Sequence, residues 1–141
     1  MTPTERARLL QHYLRQVGAL PFNWGGNNCC SFAAGWVRAA TGFDPMEGLP
    51  ATPDAPSALR LVRQLGGTLE AAWTERLGRP PVAAAYAQLG DLVLRDVEGG
   101  HGTGQAVGVC NGARVAFAGD DGIGLVPLAQ CRLAWRLEEA A

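Results

Sequence analysis

The sequence predicts an α+β domain in which N-terminal helices pack on a C-terminal antiparallel β-meander. Apolar residues recur at helical spacing as far as Leu77, whereas short apolar runs separated by glycine-rich and asparagine-containing turns follow Leu89. Helices followed by strands are typical of α+β architecture. The 141 residues are enough to enclose one hydrophobic core, so we expect a single domain over residues 1–141.

The first helix has a clear start and a clear stop. Thr2 is a suitable N-cap, Pro3 suits the first helical position, and Glu5 can complete a capping box with Thr2. Gly18 is expected to end this helix. His12 lies off its apolar stripe and is therefore expected on the surface.

The stretch from Phe22 to Val37 (FNWGGNNCCSFAAGWV) predicts a turn followed by a second helix. Asn27 or Asn28 can serve as its N-cap, because an asparagine side chain accepts hydrogen bonds from the free backbone N–H groups of the first turn. Gly42 is a natural end for this helix.

Two adjacent cysteines, Cys29 and Cys30, should lie in the first turn of that helix. The helix dipole and the unpaired N–H groups favour negative charge there, so a thiol at this position ionises more easily and becomes nucleophilic. The alternative is structural, because cysteine is often buried as a small apolar residue.

The spacing of apolar residues and the composition of the turns predict the remaining helices and strands. Asp91 precedes a predicted strand, where a carboxylate can cap the backbone. The expected elements are helices at Ser57–Leu65 and after the cap Thr68, and strands at Leu92–Leu94, Ala106–Cys110, Ala113–Phe117, Ile123–Leu128 and Cys131–Leu137. Asn111–Gly112 is expected to form the hairpin turn between the runs Ala106–Cys110 and Ala113–Phe117.

Composition excludes several classes of function. The net charge of −1 provides no basic field for nucleic acid, and no apolar run is long enough to span a membrane. The polar N-terminus does not resemble a signal peptide, so we expect reduced thiols. The four cysteines contain no CxxC pair; we therefore expect no metal or other cofactor, and Cys110 and Cys131 are expected in the core. An iron–sulfur cluster remains an alternative.

A few polar residues outside the cysteine helix are further candidates. His101 lies in the glycine-rich segment Glu98–Gly104, where it is either a solvated loop residue or a base for Cys29. This segment does not join a strand to a helix, so it is no phosphate loop. Asp120 and Asp121 are either an acid–base pair or, as their flanking glycines indicate, turn residues.

A family resemblance appears when these motifs are taken together. Trp24-Gly25-Gly26, a cysteine at a helix start, Gly90-Asp91-Leu92-Val93, and Val-Gly-Val before a hairpin occur in this order. The order resembles the NlpC-type cell-wall peptidases, which are small papain-like cysteine peptidases. More narrowly, it is similar to an NlpC-like family encoded among bacteriophage and prophage tail genes. The resemblance spans about residues 21–137. Trp24, together with Gly25 and Gly26, either lines a substrate groove or, as an aromatic residue beside a Gly-Gly turn, closes the edge of the core.

The catalytic positions of that family can be carried over one at a time. The nucleophile falls on Cys29, preceded here by Asn28 in place of an acidic residue, and Cys30 occupies a position that is usually serine. The general-base histidine falls on Ala106. The third, orienting residue falls near Phe117. The resemblance therefore implies that this sequence keeps the thiol and has lost both of its partners, although a cysteine nucleophile needs a base within hydrogen-bonding reach.

From this resemblance we expect a phage or prophage tail component, at the tail tip or in tail assembly, with an NlpC-like fold and a degenerate catalytic site. It would contact other tail proteins, being made in the bacterial cytoplasm and then incorporated into the virion tail. The alternative is an active peptidoglycan cysteine peptidase, in which Cys29 attacks the stem peptide and His101 is a non-standard base. A cysteine-ligated metal or cluster protein is a third class.

Overall fold

The computed structural model describes residues 2–18, 20, 28–98, 104–119 and 122–137. This part of the chain forms an α+β domain of four α-helices and one six-stranded antiparallel sheet, as predicted. The helices are α1 (Pro3–Val17), α2 (Cys29–Thr41), α3 (Ala55–Gln64) and α4 (Leu69–Leu77). The strands are β1 (Val82–Ala83), β2 (Leu92–Asp96), β3 (Gln105–Asn111), β4 (Arg114–Gly119), β5 (Gly122–Pro127) and β6 (Leu133–Trp135).

The local signals at both ends of α1 and at the end of α2 are confirmed. Thr2 and Glu5 form the capping box, in which the Thr2 hydroxyl accepts from the Glu5 backbone N–H at 3.1 Å. Gly42 ends α2 with a φ of 81°, a left-handed conformation that glycine adopts at little cost. His12 is exposed, as expected.

Two predicted boundaries were wrong by one or two residues. The third helix begins at Ala55 and not at Ser57, because the Asp54 carboxylate caps it by accepting from the Ser57 N–H at 2.9 Å. The hairpin turn consists of Gly112 and Ala113, because Asn111 already pairs with Arg114 in the ladder. Gly112 has a φ of 84°, so it fills the first central position of a two-residue turn.

The order of strands in the sheet is β1-β6-β2-β3-β4-β5. The consecutive strands β2 to β5 form the predicted meander. The last strand, however, does not continue it beside β5; β6 crosses back to pair with β2 and with the unpredicted β1. It is also shorter than the predicted Cys131–Leu137. Strand β2 is therefore central, and Leu92 to Leu94 are fully buried.

Both faces of the central strands are buried. The face that carries Leu92 and Leu94 packs against α2, and the opposite face carries Val93. The larger core joins the sheet to residues of α1, α2 and α4, including Leu10, Phe32, Trp36, Leu69, Trp73, Val107, Val109 and Trp135. A smaller core on the other face contains Cys110, Val115, Phe117 and Ala134. Because α2 packs directly on the sheet, its N-terminus is fixed relative to β3 and β4.

A buried carboxylate ties the start of β2 to the C-terminal segment. Asp91 is fully buried, and its oxygens accept from the backbone N–H groups of Gln88 at 2.8 Å and Leu137 at 3.1 Å. Arg136 Nε lies 2.9 Å from Asp91 Oδ2, although its N–H is not aligned for a hydrogen bond. Burial raises the pKa of Asp91, although the two N–H groups and the nearby arginines lower it in part. The expectation that Asp91 caps the backbone is confirmed.

Gly108 on β3 provides a first test of this packing. A Cβ atom there would lie 2.4 Å from the Ala116 carbonyl oxygen and 2.8 Å from the Phe117 ring. Because a backbone oxygen in a paired strand cannot easily move, Gly108→Ala is expected to lower the free energy of unfolding by about 1–3 kcal/mol in denaturant titrations. Gly124→Ala on β5 is the matched control, since no atom lies within 4 Å of its added Cβ. Equal stabilities for the two variants would contradict this packing.

Within the described residues, no helix is both long enough and apolar enough to cross a membrane.

Candidate functional site

The adjacent cysteines are held by a fully capped helix start. Asn28 is the N-cap of α2, and its side-chain oxygen accepts from the N–H groups of Cys30 and Ser31, both at 2.9 Å. The Ser31 hydroxyl completes the box by accepting from the Asn28 N–H at 2.9 Å. Cys29 and Cys30 are therefore the first two residues of the helix, as predicted. Both are partly exposed and neither forms a disulfide.

The Cys29 sulfur lies where the β3–β4 ladder opens. The paired residues of these strands run from Asn111 only as far as Val109, whereas β3 continues to Gln105 beside β2. The Cys110 N–H donates towards β2, so the N–H of Val107, three residues away, faces the other side of the strand. There it donates a hydrogen bond to the Cys29 sulfur.

Cys30 donates a hydrogen bond to its neighbour. The pKa of Cys29 is lowered to about 7, mainly because the Cys30 thiol donates to the Cys29 sulfur. The Val107 N–H lowers this pKa further, whereas burial acts in the opposite direction and raises it. The pKa of Cys30 is raised well above its usual value by the same interaction and by burial, although it accepts from the Trp73 side chain. The result is a chain of donors, Trp73 to Cys30 to Cys29, that stabilises one thiolate.

The two cysteines border a cavity of about 390 Å³ between the start of α2, helices α3 and α4, and the open ends of β2 to β4. Most of the described residues at its walls are aliphatic or aromatic. They include Met46, Leu49, Ala58, Leu61, Val62, Leu65, Leu69, Ala72, Trp73, Val97, Ala106, Phe117 and Ala118. A ligand in this cavity would therefore meet an apolar environment with a polarised thiol at one boundary.

The two positions at which the resemblance implies a base and its orienting residue both lie at this cavity. Ala106, on β3, and Phe117, on β4, contribute to its wall. Neither side chain can accept a proton. The Phe117 ring packs over Gly108, and the Arg95 guanidinium lies 5.0 Å from the ring centroid. The structure thus places Cys29 together with the two substituted positions.

Several predicted site residues cannot be placed relative to Cys29. Trp24, Gly25, Gly26 and His101 lie outside the described residues, and so do Asp120 and Asp121. In the described part of the chain, His12 is the only histidine, and it is exposed on α1. A base contributed by His101 therefore stays a prediction.

The other two cysteines take structural positions. Cys110 is fully buried in β3, as expected, and burial raises its pKa. Cys131 precedes β6 and is partly exposed, so the expectation that it lies inside a strand was wrong. It packs at the edge of the smaller core. Over the described ranges, no group of three or more His, Cys, Asp or Glu side chains is arranged to hold a metal ion.

Three further groups contribute to this site without having been predicted from the sequence. Trp73 lies on α4, and because a buried indole N–H needs an acceptor, this residue type could have indicated a polar partner. The Val107 N–H and the Arg95 side chain gave no sequence signal, because their roles depend on contacts with residues far away in the chain.

Comparison with known structures identifies the class of fold. The chain is similar to the crystal structure of the NlpC/p60 domain of the peptidoglycan hydrolase SagA, with a TM-score of 0.57 and 16% sequence identity. The match covers 93% of this chain and 97% of that domain. The domain therefore has an NlpC/p60-type fold, which confirms the predicted architecture.

The sequence itself belongs to a particular family within this fold. Residues 3–137 match the family described as a domain of unknown function, DUF6950, so the chain is a member of that family. No curated protein sequence matches it.

Proposed function

We propose that this domain is a component of a phage or prophage tail that has kept the NlpC/p60-type fold without its hydrolytic activity. It acts by contacts with other tail proteins, at the tail tip or during tail assembly. The observation that carries the loss of hydrolysis is the pair Ala106 and Phe117 beside the Cys29 cavity. The tail context rests on the sequence resemblance described above.

The chemistry of peptide cleavage explains why these two positions matter. A cysteine peptidase must protonate the leaving amine, and a base that takes up and returns a proton does this work. An alanine methyl group and a phenyl ring cannot do so. Among the described residues, even a fully ionised Cys29 would therefore attack a peptide carbonyl without a group that protonates the leaving amine.

The proposal is tested by two measurements on the full chain and on Cys29→Ser. Incubation with purified peptidoglycan is expected to release no soluble fragments from either protein. In particles from a host that carries the gene, both forms are expected to sediment with the tail fraction in equal amounts. Release of fragments by the wild type but not by Cys29→Ser would contradict the loss of hydrolysis. Absence of the chain from purified particles would contradict the tail role.

A second candidate function is an active peptidoglycan cysteine peptidase that uses Cys29 with His101. It is favoured by the environment of Cys29, whose pKa is lowered to about 7 and whose sulfur borders a cavity. The solved domain of similar fold is that of a peptidoglycan hydrolase. This function requires His101→Ala to abolish fragment release as completely as Cys29→Ser, with His12→Ala as the matched control that keeps full activity.

A further inference from the structure

The cavity beside Cys29 has walls that suit an aliphatic chain. Its lining comes mainly from aliphatic side chains of α3 and α4 and from Met46 and Leu49, which precede α3. Burial of apolar surface is favourable, so an apolar ligand would gain free energy on entering from water. A cavity of about 390 Å³ is within the range of small-molecule sites.

Most polar side chains at the wall already have partners. The Asn28 side chain caps α2. The Arg76 guanidinium donates to the backbone carbonyls of Pro45 and Glu47. The Gln105 side chain is hydrogen-bonded to the Asp96 carboxylate. These groups shape the wall and are not available as new ligand contacts.

Arg95 differs from these residues. Its Nε is buried, and no described residue accepts a hydrogen bond from it. The neighbouring carboxylate of Asp96 is bound to Arg132 at 2.9 Å, and Glu98, also at the cavity, is exposed. A buried donor without an acceptor is costly, and a guanidinium prefers a carboxylate. Of the two arginines at the described wall, Arg95 is therefore the one whose guanidinium has a buried N–H group without an acceptor in the described chain.

We propose that this cavity binds an aliphatic carboxylate, such as a medium- or long-chain fatty acid, with the carboxylate paired to Arg95 and the chain lying between α3 and α4. An apolar peptide fits less well, because its backbone N–H and C=O groups would need partners along its whole length, whereas the described side chains of α3 and α4 at the wall are mostly apolar. This site does not depend on the proposed tail role or on hydrolysis.

Titration of the full chain with dodecanoate below its micellar concentration tests the proposal. Trp73 lines the cavity, so binding is expected to change tryptophan fluorescence and to be measurable by calorimetry. Dodecanoate should bind about tenfold or more tightly than dodecanol, because only the carboxylate can pair with the guanidinium. Dodecylammonium should bind more weakly than either. Equal affinity of the three probes, or no binding of dodecanoate, would overturn the proposal.

Variants locate the site. Arg95→Gln should bring the affinity for dodecanoate to that for dodecanol, whereas Arg114→Gln, on the exposed part of β4, should leave both unchanged. Ala58→Phe adds bulk to the cavity wall and should abolish binding of both probes, with folding checked by circular dichroism. Unchanged dodecanoate affinity in Arg95→Gln would overturn the assignment. Tighter binding of a short apolar peptide than of dodecanoate would also overturn it, in favour of a peptide site.

Discussion

Replacing Asp91 with alanine is expected to lower the free energy of unfolding by about 2–4 kcal/mol, the largest stability effect that we predict for a single polar residue of this domain. The carboxylate is fully buried and accepts from the backbone N–H groups of Gln88 and Leu137. Its removal leaves both donors without their acceptor and ends the contact with Arg136. Chemical denaturation followed by circular dichroism measures the loss.

Two further variants separate this effect from a general loss of negative charge. Asp91→Asn keeps one oxygen acceptor and the size of the side chain, so it should cost less than Asp91→Ala. Asp96→Ala removes an exposed carboxylate paired with Arg132, and its stability should stay close to that of the wild type. If Asp91→Ala were as stable as Asp96→Ala, the buried carboxylate would not hold the C-terminal segment to β2.

Replacing Cys30 with alanine is expected to shift the pH midpoint of Cys29 alkylation upward by about one unit or more. In the wild type the midpoint should lie near the lowered pKa of about 7, because the thiolate is the reacting form. Loss of the Cys30 donor removes the main cause of the lowered pKa, so a higher pH is needed to ionise Cys29. Iodoacetamide labelling followed by peptide mass spectrometry measures the reaction at each cysteine.

The other cysteines supply the controls. Cys131→Ala should leave the Cys29 midpoint unchanged, and Cys30 and Cys110 should react little at pH 7, because the pKa of each is raised. Trp73→Phe removes the donor to Cys30 and should further raise the pKa of Cys30. A Cys29 midpoint that is the same in the wild type and in Cys30→Ala would show that the helix start and Val107 alone stabilise the thiolate.

The ionisation state of Cys29 helps to distinguish the two candidate functions of the domain. The Cys29 thiolate can react with small electrophiles, yet no described residue beside it can protonate the amine that leaves when a peptide is cleaved. Measuring an ionised Cys29 together with absent hydrolysis would therefore agree with the proposed loss of activity. The combination of an ionised Cys29 and hydrolysis that requires His101 would favour the second candidate.

Local signals in the sequence predicted most elements correctly because they act over a few residues. Capping by Thr2 and Asn28, the left-handed glycine at Gly42 and the apolar period of each segment depend on neighbours within one or two turns. Errors occurred where a competing local group was overlooked. Asp54 began α3 earlier than expected, and the pairing of Asn111 with Arg114 moved the hairpin turn by one residue.

The sequence alone was therefore sufficient for the α+β class, the helix boundaries near the cysteines and the position of Cys29 in a first helical turn. The tertiary structure decided that β6 returns to β2 and that the β3–β4 ladder opens opposite Cys29. It also decided that Cys30 and the Val107 N–H donate to the Cys29 sulfur, and that Trp73 donates to Cys30. It also placed Arg95 at an apolar cavity. These contacts join residues far apart in the chain, and no local period or turn motif encodes which distant groups will meet.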